Sequence, residues 1–206
     1  MLIDKRSFSA MLLNTADLWQ THTSFLGDID SRFGDGDHGI TIGKISRIII
    51  ENVQNWNKES IGEFIKTMGE NIMAINGGSA GPLYGTLIAG LGEPLGDETE
   101  IDGELLKKML QGSLSEISDI TNAGVGDKTM MDALIPAVEA ATASTGEVSE
   151  ILEAAAKAAA NGAEYTQSIA SKFGRARSYG DQTIGTPDAG ALSTSLFFQG
   201  LYEGLK

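Results

Sequence analysis

Apolar residues recur every three or four positions along most of this chain, which is the spacing of amphipathic α-helices. A strand is conceivable over residues 47–50, but the length and spacing of the surrounding pattern favour a helix there too. The pattern predicts an all-α fold of eight helices without linkers or repeats, so residues 1–206 are expected to form one domain. The predicted helices span residues 4–22, 40–56, 60–76, 82–91, 102–117, 127–138, 147–173 and 188–201.

Polar residues and prolines mark several of the predicted helix ends. Asp127 and Asp188 precede apolar segments, as N-cap residues do, and Pro82 stands where a first-turn proline is tolerated. The glycines at 77–78 are expected to end the third helix. Residues 27–39, 92–101 and 174–187 are expected to form the longer loops.

The number of helices has a geometric consequence for the loops. If eight helices run alternately up and down, the second, fourth, sixth and eighth all begin at the same end. The loops before these four helices are rich in glycine, and we call them together the rim: residues 34–39, 77–81, 124–127 and 185–190. Helix N-termini offer unpaired amides and partial positive charge, and glycine lets a backbone approach a ligand closely. We therefore predict a polyphosphate site at the rim.

Four aspartates lie close together in the first rim loop and just before it: Asp28, Asp30, Asp35 and Asp37. Such neighbouring charges repel unless a cation neutralises them, and hard oxygen ligands favour Mg²⁺ or Ca²⁺. Asp-Gly clusters also form ordinary turns and caps without any function. Four unusual loops at one end favour the metal–polyphosphate interpretation over the structural one.

Known phosphate and metal motifs do not account for this stretch. Residues 34–39 fit G-x-G-x-x-G literally, but no hydrophobic strand precedes them, so a Rossmann site is excluded on context. An EF-hand fails because the ligand spacing is wrong and no Glu closes a twelve-residue loop. Gly43-Lys44 lacks the upstream glycine spacing of a Walker A motif.

The composition of the chain narrows the classes of partner that it could bind and the compartment in which it could work. A net charge of -13 argues against nucleic-acid binding, which needs a positive field. The chain has no cysteine, which fits a reducing compartment, and its first residues lack the apolar run of a signal peptide. No segment reaches membrane-spanning length. We expect a cytoplasmic protein without nucleic-acid or membrane partners.

Five motifs, taken in order along the chain, resemble the L subunit of dihydroxyacetone kinase, the DhaL family. They are Gly34-Asp35-Gly36-Asp37-His38-Gly39, Gly77-Gly78-Ser79-Ala80-Gly81-Pro82-Leu83-Tyr84-Gly85, Gly126-Asp127-Lys128-Thr129-Met130, Gly174-Arg175-Ala176 and Asp188-Ala189-Gly190-Ala191. The resemblance covers essentially the whole chain. It implies an eight-helix antiparallel up-and-down barrel that holds ADP or ATP at one end through two Mg²⁺ ions.

The resemblance also implies roles for individual residues. Asp30, Asp35 and Asp37 would ligate the magnesium ions. The nucleotide would be contacted by His38, Gly39, Thr41, Ser79, Ala80, Thr121, Met130, Arg175, Asp188, Ala189 and Gly190. From the residue pattern alone, Met130 fits a core position better than a nucleotide contact, and His38 is either a phosphate donor group or a polar turn residue. No catalytic residue is assigned to this chain.

As to activity, the resemblance implies phosphoryl transfer to dihydroxyacetone or a related short ketose, held covalently on a histidine of a separate K subunit. Bound ADP would be rephosphorylated by a phosphotransferase-system M subunit, which the chain length favours, or ATP would be used directly. A homodimer is compatible with the same family. Two alternatives stay open: a regulatory subunit that binds a transcription factor, and a helical scaffold with a structural cation.

Overall fold

The computed structural model describes residues 2–57, 60–76 and 78–206. The predicted turn at residues 58–59 and position 77 of the second motif lie outside the described residues. Residues Ile3–Asp4 (β1) and Glu100–Ile101 (β2) form a short antiparallel pair, and 3-10 helices span Thr166–Ser168 and Arg175–Thr183. The α-helices are Lys5–Thr21 (α1), Thr23–Asp30 (α2), His38–Asn55 (α3), Ile61–Met73 (α4), Ala80–Leu91 (α5), Gly103–Ile120 (α6), Met131–Ala143 (α7), Val148–Tyr165 (α8) and Ala189–Gly204 (α9).

The predicted all-α class is confirmed, and the eight predicted helices correspond to α1 and α3 to α9. The prediction that residues 27–30 belong to a loop is wrong, because they complete helix α2. Leu26 and Ile29, three positions apart, are buried on this helix, which packs against α3 and α9. Tertiary packing thus stabilises a two-turn helix that is too short and too polar to be predicted from its own sequence.

Helix α8 ends at Tyr165, so the prediction of a helix to residue 173 is wrong. The hydroxyl of Thr166 donates to the Ala163 carbonyl at 2.6 Å and accepts from the Asp188 amide at 2.9 Å. These contacts turn the chain towards the start of α9. A long-range contact therefore ends a helix that local propensity would continue.

The predicted N-caps have different outcomes. Asp188 caps α9, since its carboxylate accepts from the Ala191 amide at 2.8 Å. Asp127 does not cap α7, which begins at Met131; its carboxylate accepts from the Gly124 amide instead. The N-cap residue of α7, Met130, makes no side-chain cap, and the buried Asp132 inside the helix instead accepts from the preceding Thr129 amide at 2.8 Å.

Helices that follow one another along the chain pack against one another from α3 onward. Helix α1 contacts both α3 and α9, so the last long helix returns to the first. Within the described residues, one hydrophobic cluster draws side chains from all nine α-helices. At its centre the Trp19 ring lies 5.2 Å from Tyr84 and 5.9 Å from Phe197, and the indole N–H donates to the Ser193 carbonyl at 2.8 Å. Nowhere in the described ranges is a helix both long and apolar enough to cross a membrane.

Glycine allows α4 and α5 to pack closely against each other. A Cβ atom on Gly69 would lie 2.7 Å from the Ala89 Cβ and 2.7 Å from the Gly85 carbonyl oxygen. Since real side chains do not approach so closely, any larger residue forces the two helices apart.

We therefore expect Gly69→Ala to lower the free energy of unfolding by about 2 kcal/mol, the usual cost of overpacking. Urea denaturation followed by circular dichroism measures the change. Gly96→Ala is the matched control, because a Cβ there would meet only the flexible Glu98 carboxylate at 3.4 Å. Equal stability of the two variants would contradict the close-approach argument.

Candidate metal centre and the surrounding rim

Three aspartates converge where α2 ends and α3 begins. Asp30 is the last residue of α2, Asp35 lies in the following turn and Asp37 directly precedes α3. One carboxylate oxygen from each residue lies within 4.8 Å of the other two. The turn between them needs glycine, because Gly36 has a φ of +75° and a Cβ on Gly34 would overlap the Asp30 carboxylate.

The negative charges of the three clustered aspartates repel one another. Burial and the neighbouring carboxylates of Asp35 and Asp30 raise the pKa of Asp37, while a hydrogen bond from the Gly78 amide lowers it. The His38 amide donates to Asp30 at 3.3 Å. Three converging hard oxygen ligands whose repulsion a cation would relieve fit Mg²⁺, so the residues present match the predicted metal. Asp28, by contrast, is exposed and is not one of the clustered residues.

The other rim loops contact this cluster or one another. Gly78, two residues before α5, lies beside Asp37, and a Cβ there would be 3.3 Å from its carboxylate. From the 3-10 helix Arg175–Thr183, which precedes the fourth rim loop, Arg175 forms an ion pair with Asp35 at 2.8 Å, and the ring of Tyr179 lies 5.2 Å from Phe33. In the fourth loop, Gly190 lies against Met130, which directly precedes α7.

His38 is tied to a network of buried hydroxyl groups that the sequence did not reveal. Its Nε2 atom lies 2.8 Å from the Ser193 hydroxyl, which lies 2.6 Å from the Tyr84 hydroxyl. Tyr84 in turn lies 2.8 Å from Thr194. Burial lowers the pKa of His38, against the opposing effect of Asp30, so the imidazole is neutral near pH 7. The available signal was the polar pair Ser193-Thr194 within the otherwise apolar face of α9.

The remaining predicted nucleotide residues lie at helix ends around the cluster. Gly39 and Thr41 are buried in the first turn of α3, where a Cβ on Gly39 would overlap the Thr23 carbonyl. Ser79 is exposed at the start of α5, and Ala80 is its first residue. Met130 is 5% exposed and joins the hydrophobic cluster, as its residue type alone indicated. Asp188, Ala189 and Gly190 begin α9.

Thr121 stands apart from the others, directly after α6. Its hydroxyl accepts from the Ala123 amide at 3.2 Å and so shapes the loop that leads to the third motif. The resemblance to the family assigned no role to Lys128 or Asp132. In the structure both are buried beneath the rim, where Asp132 accepts from the Gly126 amide at 2.6 Å.

Asp188 lies in a strongly perturbed environment. Burial raises its pKa to about 7; the negative charge of Asp132 acts in the same direction, and the Ala191 amide and the Lys128 ammonium oppose the rise. The folded protein thus holds the Asp188 proton more tightly than the unfolded chain, in which the carboxyl group has its ordinary pKa of 3.8. The stabilising contribution is complete below the unfolded pKa and is lost as the pH rises through about 7.

We expect the free energy of unfolding of the wild type, relative to Asp188→Asn, to fall by about 3 kcal/mol between about pH 4.5 and about pH 7.5. Urea titrations of both proteins at the two pH values measure this difference. Comparison with the asparagine variant removes the contribution of carboxylates such as Asp127, whose pKa is lowered by its Gly124 hydrogen bond and Lys172. A pH-independent difference would refute the assignment.

Known proteins are similar to this chain in sequence and in fold. A family model described as the DAK2 domain matches residues 32–203. The ADP-binding subunit DhaL of the PEP-dependent dihydroxyacetone kinase 2 of Listeria innocua is 30% identical over 210 residues, covering 100% of this chain and 97% of that protein. The D-erythrulose kinase of Mycolicibacterium smegmatis is 34% identical over 196 residues, covering 93% of this chain.

A solved structure agrees with these sequence relatives. The dihydroxyacetone kinase from C. freundii in complex with AMP-PNP and Mg²⁺ superposes with a TM-score of 0.72 at 25% identity and covers 95% of this chain. The chain spans about a third of the length of this kinase and of the erythrulose kinase, at 33% of each, but nearly all of the Listeria subunit. The resemblance predicted from the five motifs is confirmed, and the chain belongs to the DAK2 domain family as a DhaL-type subunit.

Proposed function

We propose that this chain is the nucleotide-binding subunit of a kinase for a short ketose and holds ADP or ATP with Mg²⁺ at the rim. The observation that carries the proposal is the cluster of Asp30, Asp35 and Asp37 at the start of α3, within reach of Arg175. The structural relative from C. freundii was solved with AMP-PNP and Mg²⁺, a nucleotide and an ion of the same classes.

The three aspartates would hold two Mg²⁺ ions. When bound, magnesium neutralises phosphate oxygens and holds them in line for transfer. Aspartates are suited to this task because their repulsion keeps the site open to a divalent cation and closed to an uncompensated polyphosphate. The Gly78 amide opposes the rise in the pKa of Asp37 that burial and the neighbouring carboxylates cause, and a bound cation would favour the ionised form of this ligand further.

The phosphates would lie along the helix N-termini of the rim. The first amides of α3, α5 and α9 carry the partial positive charge of their helices, and the exposed Ser79 and the partly exposed Gly190 lie at the starts of two of them. His38, kept neutral and fixed by Ser193, would donate to a phosphate oxygen without adding charge. Arg175 would add the one long cationic side chain that already reaches the cluster.

The nucleoside would extend towards the third rim loop. Met130 and Thr121 flank that loop on its two sides, and Met130 contacts the start of α9 at Gly190. Met130 and Ala189 are almost completely buried, so an adenine ring would reach them only at the surface beside the partly exposed Gly190. Asp188 then orders the backbone under the nucleotide through its cap on Ala191.

The ketose would be held on another protein. None of the residues at the cluster is an activated nucleophile, and phosphoryl transfer needs positioning and charge neutralisation more than covalent chemistry from this subunit. A separate K subunit would bind dihydroxyacetone or erythrulose covalently through a histidine and present its hydroxyl to the rim. Named relatives act on both ketoses, which share a terminal hydroxyketone.

The phosphate donor would be a phosphotransferase-system M subunit acting on bound ADP in the cytoplasm. The relative that this chain matches over its full length is named PEP-dependent, whereas the erythrulose kinase is about three times longer. A homodimer of the chain is compatible with this arrangement, and light scattering of the purified protein measures the mass that decides it.

For nucleotide binding, we expect Asp35→Asn and Asp37→Asn each to weaken Mg²⁺-dependent ADP affinity by about a hundredfold or more, since each removes a charged metal ligand. Isothermal titration calorimetry with and without Mg²⁺ measures this affinity. Asp28→Asn is the matched control, because it removes the same charge from the same stretch outside the cluster. Unchanged affinity in the Asp35 and Asp37 variants with intact circular dichroism would refute the site.

For catalysis, we expect a mixture of this chain, a K subunit and a phosphotransferase M subunit to phosphorylate dihydroxyacetone at the expense of phosphoenolpyruvate, with ADP required only in amounts equal to the chain. Coupled assays with dihydroxyacetone and erythrulose measure the rate and the preferred ketose. Turnover with ATP alone and no M subunit would replace the proposed donor. Nucleotide binding without any turnover would favour the regulatory alternative.

A further inference from the structure

Lys128 combines three features that the proposed function leaves unexplained. It is the only non-glycine residue with a positive φ, +60°, among those that the structure describes. Its side chain is buried, with 4% of the residue exposed. Burial lowers the pKa of its ammonium, while the charges of Asp188 and Asp132 oppose that change. A strained backbone and a buried lysine persist only where the surroundings require them.

The ammonium lies in a cage of four main-chain carbonyl oxygens. It donates to Thr166 at 2.5 Å, Thr186 at 2.6 Å, Thr183 at 2.9 Å and Ile169 at 3.1 Å. An ammonium has three protons, so it cannot donate a separate hydrogen bond to each of four acceptors. The four carbonyls surround it as they would surround a compact cation. Carbonyl cages of this kind also suit K⁺ and free ammonium.

All four carbonyls belong to residues 166–186, which we call the 166–186 loop. Its base consists of residues 166–171 and 183–186, and the cage takes two carbonyls from each half. Other contacts across the base are few: the Gly185 amide donates to the Gln167 carbonyl at 2.7 Å, and the Ser171 amide donates to the Thr183 hydroxyl at 2.9 Å. Lys128 directly follows the third rim loop, and its ammonium hydrogen-bonds to both halves of the base.

The tip of the 166–186 loop, residues 175–180, reaches the aspartate cluster. Arg175 pairs with Asp35 at 2.8 Å, and Tyr179 packs its ring against Phe33. Arg175 is itself largely exposed, with 71% of its side chain accessible, so the ion pair alone holds the tip weakly. Lys172, three residues before Arg175, also pairs with Asp127 at 2.9 Å, so the position of the tip depends on this contact and on the closure of the base.

We propose that Lys128 is a positioning residue: its ammonium acts as a built-in monovalent cation that closes the base of the 166–186 loop and so sets Arg175 at the metal cluster. The consequence for nucleotide affinity rests on the proposed function, while the consequence for loop order does not.

Two variants test the proposal on the full chain without nucleotide. Lys128→Met removes the charge and keeps the length of the side chain, and Lys128→Gly removes the charge while suiting the left-handed backbone. Both are expected to raise amide hydrogen exchange at least about tenfold in the 166–186 loop while leaving α1 and α3 protected. Lys108→Met, an exposed lysine on α6, is the control for loss of one charge.

Rescue distinguishes a cation role from general packing. Ammonium or potassium chloride added to Lys128→Gly is expected to restore slow exchange in the loop, whereas tetramethylammonium chloride at the same ionic strength has no N–H and is too large for the cage. If amide hydrogen exchange in the loop were as slow in both variants as in the wild type, the proposal would be overturned. Global unfolding of Lys128→Gly that ammonium does not reverse would also overturn it, because the effect would then not be confined to the loop.

Calorimetry with Mg²⁺ and ADP extends the test to the site. If the loop is ordered in about a tenth of the Lys128→Gly molecules, the dissociation constant rises about tenfold, and ammonium reverses the rise. An unchanged dissociation constant despite a loosened loop would overturn the link from Lys128 to Arg175. Failure of the wild type itself to bind Mg²⁺ and ADP would refute the proposed function, and hydrogen exchange would still decide whether Lys128 closes the loop.

Discussion

Repulsion within the aspartate cluster is the constraint to which the surrounding rim responds. Asp30, Asp35 and Asp37 come within 4.8 Å of one another, and each is countered by a group from a nearby backbone or loop. The His38 amide serves Asp30, Arg175 serves Asp35 and the Gly78 amide serves Asp37. Two of the four rim loops, together with the 166–186 loop, thus compensate the charges of one cluster, as expected where like charges lie close together.

Buried polar groups next to the rim are all hydrogen-bonded within the described residues. Asp132 accepts two amides of the third rim loop, Lys128 donates to four carbonyls, and Tyr84 joins the hydroxyls near His38. Within the described residues, no buried side-chain nitrogen or oxygen lacks a hydrogen-bond partner. Because an unpaired polar group would be costly in this core, each of these contacts fixes one loop geometry rather than several.

The apolar core and the proposed binding residues lie in different parts of the fold. Within the described residues the helices bury one apolar cluster, and the residues that we propose to bind the nucleotide lie mainly at the ends of α3, α5, α7 and α9. Relatives carry the same fold either as a separate subunit of similar length or as about a third of a longer kinase. A domain with its ligand groups at one end can serve in both arrangements, since its site does not depend on how the chain continues.

The sequence by itself determined the helical class, the existence of the eight long helices, and the family, because apolar periodicity and short glycine-rich motifs are local properties. It also predicted that the loops at 34–39 and 77–81 share an end, and Gly78 lies beside Asp37 in the structure. Tertiary structure alone decided the rest: the packing that makes α2 helical and the end of α8 at Tyr165. It also decided the hydroxyl network at His38 and the cage around Lys128. These features join residues tens of positions or more apart in the chain, or follow from such contacts, and long-range contacts of this kind leave no periodic signal.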